Sequence, residues 1–283
     1  MASKGSRNYR YVGRSSEPII RFRLKVVFII FIIVFAACFA VYMMGVNVGI
    51  SGESESGGEI RTASESESAA ESDSSSEAGN EIINPVPLSE KLSETYLGKC
   101  AFVGDSLTAG LSDYQYVSSK NVIAEVGLNI DKINTQTIRT GAGEKTALEA
   151  LVDLSPENIY IMLGSNGIEW LSDKDMIGYY KEFTDSVKKA LPDSKIYILS
   201  IPPVTSERET ASDNPIKNSD IDRYNSALLD MANENQMYYV DLNTALKGND
   251  GKFSDGDAAD DGMHFNKATY QVMIDYILSH TAQ

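Results

Sequence analysis

Residues 83–283 are predicted to form an α/β fold, with a parallel sheet covered by helices on both faces. Short runs of β-branched and aromatic residues recur along this region. Between them lie stretches in which apolar residues recur every three or four positions, the spacing of one helix face. Because strand and helix alternate, consecutive strands are expected to run parallel, with each helix packing back onto the sheet.

The strands are predicted from runs that carry almost no polar alternation, which is typical of strands buried on both faces. The helices are predicted from apolar periodicity and from capping residues, Ser219 before the second and Asn266 before the third. The predicted strands are 99–103, 121–124 (the weakest), 158–163, 195–200 and 237–241, and the predicted helices cover 176–190, 221–231 and 270–277.

Charge divides the chain into three regions. Residues 1–50 carry a net charge of +6, residues 51–82 carry −8 and residues 83–283 carry −13, which together give the −15 of the whole chain. So acidic a protein repels phosphate, which argues against a nucleic-acid partner. The chain has two cysteines, too few for a disulfide scaffold, and Cys100 is expected to be a buried free thiol.

A membrane helix is predicted at 26–46, where 21 residues carry no charge. A core helix is the alternative, but it would show a polar stripe. The segment is longer than a signal-peptide core, so an uncleaved anchor is favoured, with lipidation at Cys38 as a minor alternative. Basic residues precede the segment and acidic ones follow it. The N-terminal head 1–25 is therefore expected to be cytoplasmic and the rest extracellular.

The segment 51–82 is predicted to be a disordered stalk. It consists of serine, glutamate, glycine and alanine with almost no large apolar side chain. Such a composition cannot bury enough surface to offset the entropy of ordering the chain. The stalk would hold the globular domain 83–283 away from the bilayer.

Two loops carry the residues expected to do chemistry. Ser106 follows the first strand, at a turn that can present its Oγ at the edge of the sheet, although a helix cap would use the same residues. His264 lies just before the last helix, with Asp261 three residues earlier. A serine nucleophile needs a base, and the base needs an acceptor on its other ring nitrogen. A structural role for His264 is the alternative, and His280 is expected at the surface.

Two further loops could supply donors to an oxyanion. Asn166 follows the predicted strand 158–163, and its side chain could donate to an oxyanion. It lies within a Gly-Ser-Asn-Gly sequence that would equally suit an ordinary turn. Gly127 follows the weak strand, and its backbone N–H could approach a ligand closely, although most glycines simply turn the chain. The acid-rich stretch 254–261 lacks the ligand spacing of an EF-hand and is expected to be a solvated loop.

Taken together, these residues resemble the SGNH hydrolases, also called GDSL esterases and lipases, from about residue 97 to the C-terminus. The resemblance rests on Gly-Asp-Ser-Leu at 104–107, Gly127, Gly-x-Asn at 164–166 and Asp-x-x-His at 261–264. It implies a flavodoxin-like three-layer α/β/α sandwich. It also implies Ser106 as nucleophile, His264 as base and acid, Asp261 as the residue that orients His264, and an oxyanion hole formed by Ser106, Gly127 and Asn166.

The sequence departs from the family pattern at two positions. Gly167 stands where an aspartate often follows the asparagine, and Glu125 stands where an asparagine often precedes the glycine by two residues. Neither change removes a catalytic atom, but both affect the substrate side of the site.

The expected function is that of an extracellular, membrane-tethered serine esterase that removes small acyl groups, acetyl above all, from a cell-surface glycan or a small ester. It would need no metal or cofactor. The alternatives are an O-acyltransferase supplied by a membrane acyl-transfer partner, a binding protein with an inert triad, and a lipase. Trp170, Glu169 and Tyr179 are candidates for a sugar-binding cleft, whereas Tyr180 is expected in the core.

Overall fold

A computed structural model describes residues 82–141, 143–213 and 215–282. The predicted head 1–25, the membrane helix 26–46 and all but the last residue of the stalk 51–82 lie outside these ranges. Within them, no helix is both long enough and apolar enough to cross a bilayer.

The central sheet has five strands, all parallel, in the order β2-β1-β5-β6-β7. Its strands match the five predicted runs, including the weak one, and the three middle strands are buried along most of their length. A two-stranded antiparallel hairpin, β3–β4, stands apart from this sheet. The strands are β1 Cys100–Gly104, β2 Val122–Ala124, β3 Thr137–Thr140, β4 Gly143–Thr146, β5 Asn158–Met162, β6 Lys195–Leu199 and β7 Tyr238–Val240.

Helices cover the sheet on both faces, which confirms the three-layer α/β prediction. Helices α2, α3 and α5 are neighbours in one layer. Helices α1 and α7 meet in the other, where the Tyr270 hydroxyl donates to the Leu107 carbonyl over 2.9 Å. The helices are α1 Ser106–Asp113, α2 Ala147–Leu154, α3 Asp173–Ala190, α4 Ser206–Glu209, α5 Asn218–Glu234, α6 Leu242–Leu246 and α7 Lys267–Ser279.

An aromatic row crosses the sheet and explains the unbroken apolar runs. Phe102, Tyr160, Tyr197 and Tyr238 are register partners on successive strands. Their rings stack in turn, with centroid distances of 5.2, 4.5 and 4.8 Å. Stacked aromatic pairs add packing energy beyond the area that they bury.

Two local features differ from the sequence-based expectations. No strand or helix is predicted for 137–154, but this segment forms the β3–β4 hairpin and helix α2, which begins at a reciprocal capping box between Thr146 and Glu149. Helix α5 begins at Asn218, so Ser219 lies within the first turn and the prediction that it caps the helix is wrong. The prediction for Asn266 is confirmed, since its side chain accepts from the Thr269 backbone N–H.

The predicted buried thiol is also confirmed. Cys100 is fully buried at the start of β1 and forms no disulfide. Burial raises the pKa of the thiol to about 12, so it stays protonated and unreactive at neutral pH.

The strand order determines where a ligand can bind. The chain passes from β1 to its neighbour β2 on one side and then, after the β3–β4 hairpin and α2, to β5, β6 and β7 on the other side of β1. The loops after β1 and β5 therefore diverge and leave a crevice at the carboxyl edge of the sheet, the usual ligand site of an open parallel sheet. Ser106 and Asn166 lie on these two loops.

Candidate active site

Ser106 is the first residue of helix α1, directly after β1. The preceding Asp105 caps the helix, since its side chain accepts from the Leu107 N–H over 3.0 Å. The cap function foreseen as an alternative for this loop therefore belongs to Asp105, and the half-buried Ser106 hydroxyl is free to face the crevice. The first backbone N–H groups of a helix also lack intrahelical partners and favour negative charge.

The structure brings Ser106, His264 and Asp261 together. The Ser106 Oγ lies 2.7 Å from the Nε2 of His264, although 158 residues separate them in sequence. The other ring nitrogen of His264, Nδ1, lies 2.5 Å from the Asp261 Oδ2. An ionised Asp261 can only accept, so Nδ1 carries the proton and Nε2 is left as the acceptor that faces the serine hydroxyl.

The Asp261 carboxylate is stabilised in its charged form. Partial burial alone would raise the pKa of Asp261. Hydrogen bonds from the His264 backbone N–H, the His264 ring and the Met263 N–H outweigh that effect, so the pKa lies below its ordinary value. Asp261 Oδ1 accepts both backbone N–H groups, over 2.9 and 3.1 Å, while Oδ2 holds the imidazole.

The turn that carries Asp261 and His264 is fixed by its contact with the loop after β6. Gly262 has a φ of +70°, and a Cβ there would lie 2.2 Å from the Thr205 Oγ1. The Thr205 N–H donates to the Gly262 carbonyl over 2.9 Å. Only glycine satisfies both the backbone angle and this close approach, which explains Asp-Gly-Met-His as the local sequence.

Asn166 lies on the opposite side of the crevice, held by groups from the loops after β1 and β2. Its side-chain N–H₂ donates to the Leu128 carbonyl over 3.1 Å and to the Asp105 Oδ2 over 3.3 Å. Both contacts need the nitrogen at this position, so they fix the orientation of the amide. An oxyanion would have to share or replace the longer of these two contacts to use Asn166 as a donor.

The Asp105 carboxyl joins the loops after β1 and β5. It is 1% exposed, and its Oδ2 accepts from the Ser165 hydroxyl as well as from Asn166. Burial raises the pKa of Asp105, although the hydrogen bonds from Ser165 and Leu107 and the proximity of His264 oppose the shift. Asp105 therefore affects the site by positioning Ser165 and Asn166.

Gly127 lies in the loop after β2, next to the Leu128 whose carbonyl holds Asn166. It is exposed and has a φ of +76°, while a Cβ at this position would meet nothing within 4 Å. The backbone angle, and not crowding, therefore calls for glycine here.

A small apolar crevice is lined by residues that adjoin the site residues in sequence. The residues next to the three site loops line it: Leu107 after Ser106, Ser165 before Asn166 and Met263 before His264, together with Ile168 and residues of the loop after β6. Its free volume is about 10 Å³, about the room of a single water molecule.

The remaining candidates fall outside the triad. Tyr180 is fully buried, which confirms a core role, while Trp170 is 62% exposed. His280 stacks on Tyr276 at the C-terminal end of α7 and is half-buried, so the expectation of a surface histidine holds only in part. No group of three or more His, Cys, Asp or Glu residues suited to a metal ion occurs among the residues that the structure describes.

Sequence reasoning missed the residues that support the site. The sequence indicates Asp105 only as a possible helix cap, although it also receives hydrogen bonds from Ser165 and Asn166. Nothing in the sequence marks Thr205 as part of the site. Neither has a signal in local sequence, because their partners lie about 60 residues away in the chain.

Comparison with known proteins supports the family. The sequence model of the GDSL-like lipase/acylhydrolase family matches residues 102–272. The chain is also 32% identical over 166 residues to an N-acylneuraminate cytidylyltransferase of Escherichia coli. That match covers 58% of this chain but 36% of the relative, so the chain spans about a third of that protein's length.

Several solved structures are similar to this chain at low sequence identity, and the first of them shares the fold. A proposed platelet activating factor from Streptococcus pneumoniae superposes with a TM-score of 0.51 at 21% identity, covering 65% of this chain and 88% of that one. A GDSL-like lipase from Bacteroides thetaiotaomicron gives 0.48 at 18% identity, with 66% and 89% covered. An acetylxylan esterase from Geobacillus stearothermophilus gives 0.46 at 15% identity, with 63% and 91% covered.

The family match includes the strand that leads to Ser106, the loops of Gly127 and Asn166, and the turn of Asp261 and His264. It spans well over half of the chain. The chain therefore belongs to the GDSL-like lipase/acylhydrolase family, whose members hydrolyse ester bonds.

Proposed function

We propose that this chain is a serine esterase in which Ser106 attacks the ester carbonyl, with His264 as general base and then acid and Asp261 as the orienting carboxylate. The observation that carries the proposal is the pair of short contacts, 2.7 Å from the Ser106 Oγ to Nε2 and 2.5 Å from Nδ1 to Asp261. A serine hydroxyl is a weak nucleophile until a neighbouring base takes its proton.

The reaction proceeds in two halves. As the Ser106 Oγ bonds to the carbonyl carbon, its proton passes to the Nε2 of His264, and the imidazolium is stabilised by Asp261. His264 then returns the proton to the leaving alcohol oxygen, which leaves an acyl-serine. Water then attacks that ester while giving a proton to the same nitrogen, and this proton passes to the Ser106 Oγ as its bond to the acyl carbon breaks and the acid is released. Each step uses groups of this chain.

The negative charge that develops on the carbonyl oxygen is stabilised by hydrogen-bond donors across the crevice. In the proposal these are the backbone N–H groups of Ser106 and Gly127 and the side chain of Asn166. The start of helix α1 supports this assignment, because the N-terminal end of a helix favours an anion. The Leu128 carbonyl supports it too, because it holds the Asn166 amide in place while the N–H that now reaches Asp105 over 3.3 Å turns to the oxyanion.

The acyl group is proposed to be small. The acyl chain is assigned to the apolar crevice lined by Leu107, Ile168 and Met263, because Leu107 and Met263 directly adjoin Ser106 and His264 in the chain. Its volume of about 10 Å³ suits a methyl group and not an alkyl chain. This favours acetyl esters and counts against a lipase.

The alcohol part is proposed to be a cell-surface glycan, with the enzyme tethered to the outer side of a membrane by the helix 26–46. The support is the uncharged stretch and its flanking charges, which favour an exported domain. Protease treatment of intact cells should remove the domain but spare the N-terminal head. Protection of the domain would contradict this orientation.

Acetate release from acetylated cell-wall glycan tests the activity. The full chain, purified in detergent, should release acetate, and Ser106→Ala should lower the rate about a millionfold, to background. Ser112→Ala is the matched control, because Ser112 lies on the same helix but donates to the Ala109 carbonyl and not to His264. Equal release by wild type and Ser106→Ala would remove the esterase proposal. Acetyl transfer to an added glycan in preference to water would favour the acyltransferase alternative.

A further inference from the structure

An open groove of about 720 Å³ lies beside the Asn166 side of the active site. It is lined by Ile168, Glu169, Trp170, Pro215, Lys217, Asp220 and Arg223. We call it the Trp170 groove, and we propose that it binds an uncharged saccharide ring of the substrate, stacked on the indole of Trp170. This inference rests on the proposed esterase function and names its alcohol side.

The first argument is the state of Trp170. A tryptophan that is 62% exposed leaves a large apolar face in water, which is unusual for so large a side chain. The ring is nevertheless fixed, because its Nε1–H donates to the Asn166 carbonyl over 2.9 Å. A rigid, exposed aromatic face of this kind is what a sugar ring with its apolar C–H surface requires, because no entropy is lost in ordering the platform.

The second argument is position. Ile168 lines both the small crevice beside Ser106 and the Trp170 groove. The carbonyl that anchors the indole belongs to Asn166, which is also held by Asn129 from the loop after β2. An ester with its acyl methyl in the crevice would therefore direct its alcohol part along Ile168 towards the indole.

The third argument is charge. Two acids and two bases line the groove, so their charges balance, although the domain as a whole is strongly acidic. Arg223 is already paired with Asp173 over 2.6 Å and with Asp220. Glu169 and Lys217 form no side-chain hydrogen bond or ion pair with any residue in the described ranges, and both are exposed. Such a lining offers donors and acceptors to hydroxyl groups but has no net charge that would attract an ionic sugar.

The binding test does not depend on catalysis. Trp170 is the single tryptophan of the sequence, so tryptophan fluorescence of the full chain reports on this groove alone. Titration with an unacetylated, neutral β-1,4-linked oligosaccharide should shift and quench the emission, equally in wild type and in Ser106→Ala. A charged oligosaccharide of uronic acids should bind more weakly. No saturable change with the neutral sugar would overturn the proposal, whatever the esterase assay shows.

The kinetic test separates a binding role from a structural one. Trp170→Ala should raise the KM for an acetylated neutral oligosaccharide about tenfold, the effect of losing about 1.4 kcal/mol of binding. Its kcat/KM for p-nitrophenyl acetate, which has no sugar, should change less than twofold. Trp170→Phe keeps an aromatic face and should recover most of the lost binding.

Tyr114→Ala is the matched control, because Tyr114 is an exposed aromatic residue at the end of α1, outside the groove lining. It should leave both substrates unaffected. An equal loss on both substrates in Trp170→Ala would mean that the indole only supports Asn166, and an unchanged KM for the oligosaccharide would mean that no sugar stacks there. Either result rejects sugar binding in the Trp170 groove and leaves the esterase proposal intact.

Discussion

The two sides of the active site are built in opposite ways. On one side, Asp105 is 1% exposed and receives hydrogen bonds from three groups on the loops after β1 and β5. On the other, the side chains of Asp261 and His264 are 50% and 36% exposed, on a turn before α7. A buried polar network is costly to disturb, whereas an exposed pair contributes little to stability. Mutations on the two sides should therefore separate activity from stability.

Among substitutions that keep Ser106, the largest effect is expected on the exposed side, from Asp261→Asn. The asparagine oxygen can still accept the Met263 and His264 backbone N–H groups, but its NH₂ would face Nδ1 and favour the wrong imidazole tautomer. The proposed mechanism then predicts a fall in kcat of about 10⁴. Thermal unfolding should change little, because the pair is half exposed. A matched loss of stability and activity would contradict the division between the two sides.

Asn166→Ala should have the next largest effect. Removal of one oxyanion donor lowers kcat by about 10²–10³ in enzymes of this mechanism. Here the substitution also leaves the Leu128 carbonyl without its 3.1 Å donor, so some stability should be lost as well. Single-turnover measurements of acylation would distinguish the two effects. An unchanged acylation rate would mean that Asn166 only joins the loops.

Asp105→Asn tests the buried side, and it should lower the free energy of unfolding more than it lowers activity. Asparagine has one side-chain oxygen, whereas Asp105 accepts from the Leu107 N–H with one oxygen and from Ser165 and Asn166 with the other. One of these interactions is therefore lost in either orientation of the amide. A buried donor left without a partner costs about 1–3 kcal/mol. Denaturant unfolding should reveal this loss, and Asp113→Asn, at the exposed end of α1, is the control that should not.

The pH dependence of that loss has a definite sign. Because burial raises the pKa of Asp105, the folded protein binds its proton more tightly than the unfolded chain does. Stability from this group therefore falls as the pH rises above the ordinary aspartate value of 3.8 towards the raised value in the fold. An asparagine side chain at this position does not titrate, so the stability gap between wild type and Asp105→Asn should be widest near pH 4 and narrow as the pH increases. A gap that widens with pH would contradict the raised pKa.

The same contrast explains which parts of the site and fold could be predicted from the sequence. Ser106, His264 and Asp261 were identifiable because a nucleophile, a base and an acceptor are each a distinctive residue type at the end of a strand or before a helix. The five sheet strands were visible as apolar runs, since a parallel strand is buried on both faces. The supporting contacts were not visible, because the Ser165–Asp105 and Gly262–Thr205 pairs form only once distant loops meet. The β3–β4 hairpin was missed for another reason: Thr137, Arg139 and Glu144 are exposed and give no apolar alternation to read.

The smallest effect concerns Ile168, which lines both the acyl crevice and the Trp170 groove. Ile168→Val removes one methylene and should cost roughly 0.5–1.5 kcal/mol of stability, since the side chain is buried. It also enlarges a crevice that has room for little more than a methyl group. The ratio of kcat/KM for propionyl over acetyl esters should rise roughly three- to tenfold, because a single methylene changes discrimination by a modest factor. Ile274→Val, buried on α7 and outside the crevice, should cost similar stability but leave the ratio unchanged. If both variants shift the ratio equally, the preference for a short acyl group depends on the packing of the whole core and not on the size of the crevice.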